Sequence, residues 1–96
     1  MAVIELIHFS GEQKDLLEMV KTLSNSGDLQ KIAEEDGCGY FDFYLPALPK
    51  NGLLLAEKWA SQAALDTHHA TPMMAALLDL IKKYDLKLAV EKYDVE

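Results

Sequence analysis

The apolar positions change their spacing several times along the chain, and each change marks an element. Val3 to Phe9 is a short β-branched, apolar run, which predicts a strand. Val3, Ile7 and Phe9 fall on one of its faces, and Ile4, Leu6 and His8 on the other. Leu16, Leu17, Val20 and Leu23 then recur at helical intervals, behind Ser10 and Gln13 in capping-box spacing. Ser24-Asn25-Ser26-Gly27 interrupts that helix. Leu29 would follow Leu23 by about 600° at ~100° per residue, which takes it off the first stripe. Asp28 is placed to cap a second short helix with Leu29, Ile32 and Ala33, and Gly37 stops it. An aromatic-rich strand follows over Cys38–Leu45, then a loop over Pro46–Gly52 with two prolines and an Asn-Gly turn signal. Leu53–Trp59 reads as a third strand, antiparallel to the second. Ser61 to about His69 reads as a short helix, and Thr71-Pro72 starts a longer one. Its stripe is Met74, Leu77, Leu78, Ile81 and Tyr84, with Lys82 and Lys83 in the last turn. Leu86–Val95 is the final strand. The order β-α-β-β-α-β is the ferredoxin-like α+β plan.

Two strands are apolar on both faces. Leu53, Leu55 and Trp59 oppose Leu54 and Ala56 on the third, and the first is equally two-sided. Helices cover one face of such a sheet, so the other needs a cover of its own, a second sheet or a ligand. A homodimer with two sheets face to face is the economical arrangement, and it would enclose a cavity between sheet and helices.

Composition narrows the remaining choices. A length of 96 residues, half of them hydrophobic, is that of one domain over 1–96. No apolar run approaches the roughly 20 residues that span a bilayer. The N-terminus carries an early acid and no basic region, which reads against a secretory signal. The net charge is −7, all nine cations are lysines, and arginine is absent. Nucleic acid and anionic membrane surfaces are therefore poor partners, and the usual bidentate clamp for phosphate or carboxylate is missing. The single cysteine, Cys38, excludes an internal disulfide and fits a reducing, cytoplasmic setting. It reads as a small packing group rather than a nucleophile.

Three stretches carry a family resemblance. They are Gly37-Cys38-x-x-Phe41-x-x-Tyr44, Glu57-x-Trp59, and Ala64-Leu65-x-x-His68 followed by Thr71-Pro72. In order and spacing they resemble the antibiotic biosynthesis monooxygenase family, dimeric α+β-barrel proteins that include small quinol monooxygenases. The resemblance implies a dimer built by packing sheets. It also implies, for some members, oxidation of an electron-rich aromatic by dioxygen without metal or flavin. Other members degrade haem, act on a phosphorylated molecule, or have no known activity. The first strand lacks the asparagine of the haem-degrading members, and His68 stands where they carry a tryptophan, which argues against that branch. The absent arginine weakens the phosphorylated-substrate branch. Phe41 stands where the family often has tyrosine, which removes a hydroxyl from the expected site.

His68 is the leading catalytic candidate, as a neutral imidazole able to accept a phenolic proton near pH 7. Trp59 could form a flat wall that stacks on an aromatic ligand. Tyr44 could donate a hydrogen bond to a quinol oxygen, or serve as an interface aromatic. Glu57 and Asp42 are carboxylates in apolar strands; either could orient His68, or pair with Lys58 or Lys92. His8 could add a second polar group to the cavity, or be a satisfied core histidine. Met73, with Met74, could form an adaptable lid over a flat ligand, or simply belong to the core. Tyr40, Tyr44, Cys38 and Asp42 share one face of their strand and Phe41 and Phe43 the other. His69, about 100° round the helix from His68, reads as a surface residue, and a metal site is not expected. The expected activity is cofactor-independent oxidation of a small quinol- or phenol-like aromatic by dioxygen. Two alternatives stand beside it: a non-enzymatic dimer that binds a small hydrophobic molecule, and a member acting on another metabolite, for example by isomerisation.

Overall fold

Eight elements build the computed structural model, which describes residues 1–48 and 50–96. They are β1 (Ala2–Ser10), α1 (Gln13–Asn25), α2 (Asp28–Ala33), β2 (Cys38–Tyr44), β3 (Leu53–Trp59), α3 (Gln62–His69), α4 (Pro72–Lys83) and β4 (Lys87–Val95). The four strands form one antiparallel sheet in the order β2-β3-β1-β4. This is the expected ferredoxin-like α+β plan, with each helical crossover split into two helices. Pro49, expected in the loop before β3, lies outside the described residues.

Alternation along β1 and β3 decides what reaches the core. Val3, Ile7, Phe9, Leu53, Leu55 and Trp59 point to the helix side and are buried. They meet Leu16, Met19 and Leu23 of α1, Ile32 of α2, Leu65 of α3 and Leu77 of α4. The buried stripe of α1 therefore uses Met19, while Leu17, expected on the stripe, is exposed. On α4, Leu78 likewise turns to solvent.

Several end signals act differently from expectation. Ser10 stays in β1, and α1 starts after Glu12 without a side-chain cap. Gln13 instead spans to the loop before β3: its amide accepts from Gly52 N at 2.8 Å and donates to Gly52 O at 3.3 Å. Gly27, at φ +85°, occupies the cap position before α2, so Asp28 is the first helical residue. Ser61 and Thr71 do cap α3 and α4, accepting from Ala64 N and Met74 N.

A register shift at Gly39 corrects the expected faces of β2. Cys38 pairs with Trp59, but Tyr40 pairs with Lys58, so one residue is skipped. The irregularity moves Cys38 to the helix side, where it packs against the core and its thiol is pushed up, first by burial and then by nearby carboxylates. Tyr40, Asp42 and Tyr44 remain exposed on the opposite side. The strand β4 is covered least: every residue from Lys87 to Asp94 is exposed.

Candidate active site

Two strand positions and one helix position create a polar knot inside the apolar core. Glu5 of β1 and Glu57 of β3 are direct cross-strand neighbours on the helix side, and both are buried. Like charges placed opposite one another repel. Burial pushes Glu57 up to about 7; Glu5 and Glu35 push in the same direction, against the hydrogen bond from Trp59. That bond runs from Trp59 Nε1 to Glu57 Oε1 at 2.8 Å. It explains how an indole can be wholly buried: its one donor is satisfied.

His68 enters from α3. Capping by Ser61 fixes the start of this helix, and His68 is held one turn behind Leu65, the other buried residue of α3. Its ring stacks on Trp59, with centroids 4.5 Å apart and planes 26° apart. Phe41 of β2 meets the same ring edge-on at 5.6 Å. His68 Nδ1 lies 2.9 Å from Glu35 Oε2. Nδ1 is the nitrogen turned to Glu35; with Nδ1–H donated to that carboxylate, the neutral imidazole has Nε2 as its acceptor. The imidazole is 1% exposed.

The structure thus brings together His68, Trp59 and Glu57 from the sequence candidates, and adds Glu35 and Glu5. Glu35, not Glu57 or Asp42, is the carboxylate on His68. It follows α2 in the turn before Gly37, at φ +83°, where the chain turns into β2. In the sequence it is one of three consecutive acids, Glu34-Glu35-Asp36, and nothing in that run distinguishes it. His69 lies half-exposed with Nε2 3.7 Å from Glu5 Oε1, so it stands at the rim of the same group.

Tyr44 and His8 stand elsewhere. They occupy the sheet face turned away from the helices, where Tyr44 pairs with Leu54 and His8 with both Leu54 and Ala89. His8 Nε2 lies 2.6 Å from Glu91 Oε1, and Tyr93 donates to the other oxygen of Glu91 at 2.5 Å. Met73 is partly buried and packs against the core from the first turn of α4. Lys92, weighed as a partner for the buried carboxylates, donates instead to Gln62 Oε1. Among the described residues no cluster of His, Cys, Asp and Glu could hold a metal ion.

The sequence matches the family model for antibiotic biosynthesis monooxygenases over residues 1–79. Solved structures share the fold. A candidate antibiotic biosynthesis monooxygenase from Deinococcus radiodurans superposes with a TM-score of 0.83 at 22% identity, covering 98% of this chain and 92% of that one. SnoaB, a cofactor-independent oxygenase from Streptomyces nogalater, gives 0.76 at 10% identity, covering 99% and 93%. A conserved protein from Methanosarcina mazei gives 0.80 at 18%, covering 100% and 95%. At these identities the likeness speaks for the fold alone. No curated protein matches the sequence. With the family model spanning most of its length, the chain belongs to the antibiotic biosynthesis monooxygenase family.

Proposed function

We propose that the protein is a cofactor-independent monooxygenase that oxidises a small quinol- or phenol-like aromatic with dioxygen. The observation that carries this reading is the buried His68 ring, stacked on Trp59 and held at Nδ1 by the half-buried Glu35. Glu35 holds the imidazole in the tautomer whose Nε2 accepts a proton. A quinol that gives its proton to Nε2 becomes an electron-rich aryl oxide, and such a ring can reduce dioxygen directly. One oxygen atom then enters the ring and the other leaves as water. The quinol supplies all four electrons, so one quinol and one dioxygen give one hydroxyquinone and one water. Trp59 and Phe41 supply flat apolar surface to an aromatic ligand at this point. Glu57 accepts from the indole N–H through Oε1, and its carboxyl, raised to about 7, holds a proton below that pH.

A homodimer, built by covering the sheet face opposite the helices, completes the proposal. The alternative of a non-enzymatic ligand-binding dimer predicts apolar side chains around the cavity and His68 turned to water. The burial of His68, with the Glu35 carboxylate on its Nδ1, favours the enzyme.

The test is oxygen uptake by the metal-stripped protein with a panel of hydroquinones, beside His68→Ala. Uptake above the spontaneous rate should fall by about 10²-fold or more in the variant. No uptake with any quinol, or equal uptake by both proteins, would remove His68 from this role.

A further inference from the structure

His68 is walled off from solvent, yet one of its walls is also the floor of an open groove. The groove runs between the helices α1 and α2 and the sheet-edge strand β2, has a volume of about 340 Å³, and is lined by the apolar Val20, Leu29, Ala33, Phe41 and Phe43 together with the polar Gln30 and Asp42. A second hollow of about 370 Å³, with Lys21 and Ser24 in its lining, shares Val20 and Phe43 with it. Volumes of this size lie at the lower end of small-molecule sites. Phe41 lines the groove and also meets the His68 ring at 5.6 Å. Phe43 meets Phe41 edge-on at 6.0 Å. A continuous row of rings, Phe43, Phe41, His68 and Trp59, therefore leads from the groove to the buried centre.

We propose that the α1/α2–β2 groove is the binding and entry site for a flat, uncharged aromatic molecule, and that the Phe41 ring is the shutter between it and His68. This rests on the reading of His68 as the acting base. The occupant is argued from the lining. Aromatic and aliphatic carbon offers stacking surface and no cation to hold an anion, and Asp42 stands beside Phe41 at the groove. In this proposal the movement that joins groove and site is rotation of the Phe41 ring, which stands between them. The other ring that shields His68, Trp59, is fixed by its bond to Glu57 and cannot swing as cheaply.

The chain supplies its own reporter. Trp59 is the sole tryptophan, is wholly buried, and stacks on His68. Its fluorescence lifetime can be followed during titration with 1,4-naphthoquinone, a flat uncharged quencher, and separately with acrylamide. Ala33 is an exposed residue of α2 at the groove, so Ala33→Phe fills the groove without disturbing the core. It should raise the naphthoquinone Kd by about tenfold. Phe41→Ala should make Trp59 several-fold easier for acrylamide to quench. A local unfolding would give the same signal, so the decisive protein is Phe41→Ala combined with Ala33→Phe. Filling the groove should return the shielding of Trp59 towards that of the parent. Naphthoquinone affinity unmoved by Ala33→Phe, or no return of shielding in the double variant, would overturn the proposal. Oxygen uptake that depends on His68 but ignores Ala33→Phe would discard the groove and keep the enzyme. Groove binding without uptake would do the reverse.

Discussion

Glu57 is the residue at which the physics of the site is most exposed. Its carboxyl sits at about 7, raised mainly by burial above the ordinary value of 4.5. The folded state therefore holds this proton more tightly than the unfolded chain does. The resulting stabilisation is complete below about pH 4.5, is lost as pH rises through about 7, and stays lost above it. Between pH 5 and pH 8 this group should cost the protein up to about 3 kcal/mol. In Glu57→Gln that pH dependence should flatten, because the amide keeps an acceptor for Trp59 Nε1 and cannot ionise. Urea unfolding of both proteins at pH 5 and pH 8 measures it, and an identical pH slope in the variant would refute the assignment. Glu57 was legible as a candidate because a lone acid in an apolar strand must find a partner. Glu35 was not, because its neighbours Glu34 and Asp36 offer the same chemistry and only the chain path after α2 selects the middle one. The side to which Tyr44 turns was not legible for a related reason. Alternation assigns residues to faces but not faces to sides, and the shift at Gly39 separates Cys38 from the tyrosines that alternation grouped with it.

At the scale of elements, the strand boundaries and helix breaks were readable because they rest on local chemistry. Ser61 and Thr71-Pro72 mark the starts of α3 and α4, and β3 covers the residues that its apolar run suggested. Less legible were the contacts a start signal gives up when a distant partner competes, as Gln13 does in turning to Gly52. Two glycines separate local strain from packing. Gly27, at φ +85°, has nothing within 4 Å of an added Cβ, whereas at Gly37, φ +83°, an added Cβ would meet Ala64 Cβ at 2.8 Å. Gly27→Ala should therefore cost only the left-handed strain, about 1–2 kcal/mol. Gly37→Ala carries the same strain and must also push away α3, the helix that holds His68. Its loss of stability should exceed that of Gly27→Ala, and it alone should alter the His68–Trp59 stack, read as a change in Trp59 emission. Equal losses with unchanged emission from both would show that Gly37 does not set the position of α3.

At the scale of the molecule, one layer of helices covers one face of a sheet whose two central strands, β3 and β1, are apolar on both. Tyr40, Tyr44 and Tyr93 are exposed on the free face beside Ile4, Leu6 and Leu54. The strand β4 extends this uncovered region, since Leu88 and Val90 on its other side are exposed as well. One polar cluster here is already paired: Glu91 accepts from Tyr93 and faces His8 Nε2, and these partners, Tyr93 first, hold its carboxyl below the usual range. A second copy of the same face can therefore be laid over it without leaving Glu91 without partners. Self-pairing through a two-fold axis also requires that one substitution act twice, once from each subunit. Leu6→Lys places two ammonium groups in the covered layer and should convert a dimer to monomers in sedimentation velocity at micromolar concentration. Leu78→Lys, on the exposed side of α4, should leave the dimer intact. If the parent protein sediments as a monomer, or if Leu6→Lys remains dimeric, the free sheet face is not the interface. The buried His68 site would then be complete within a single chain.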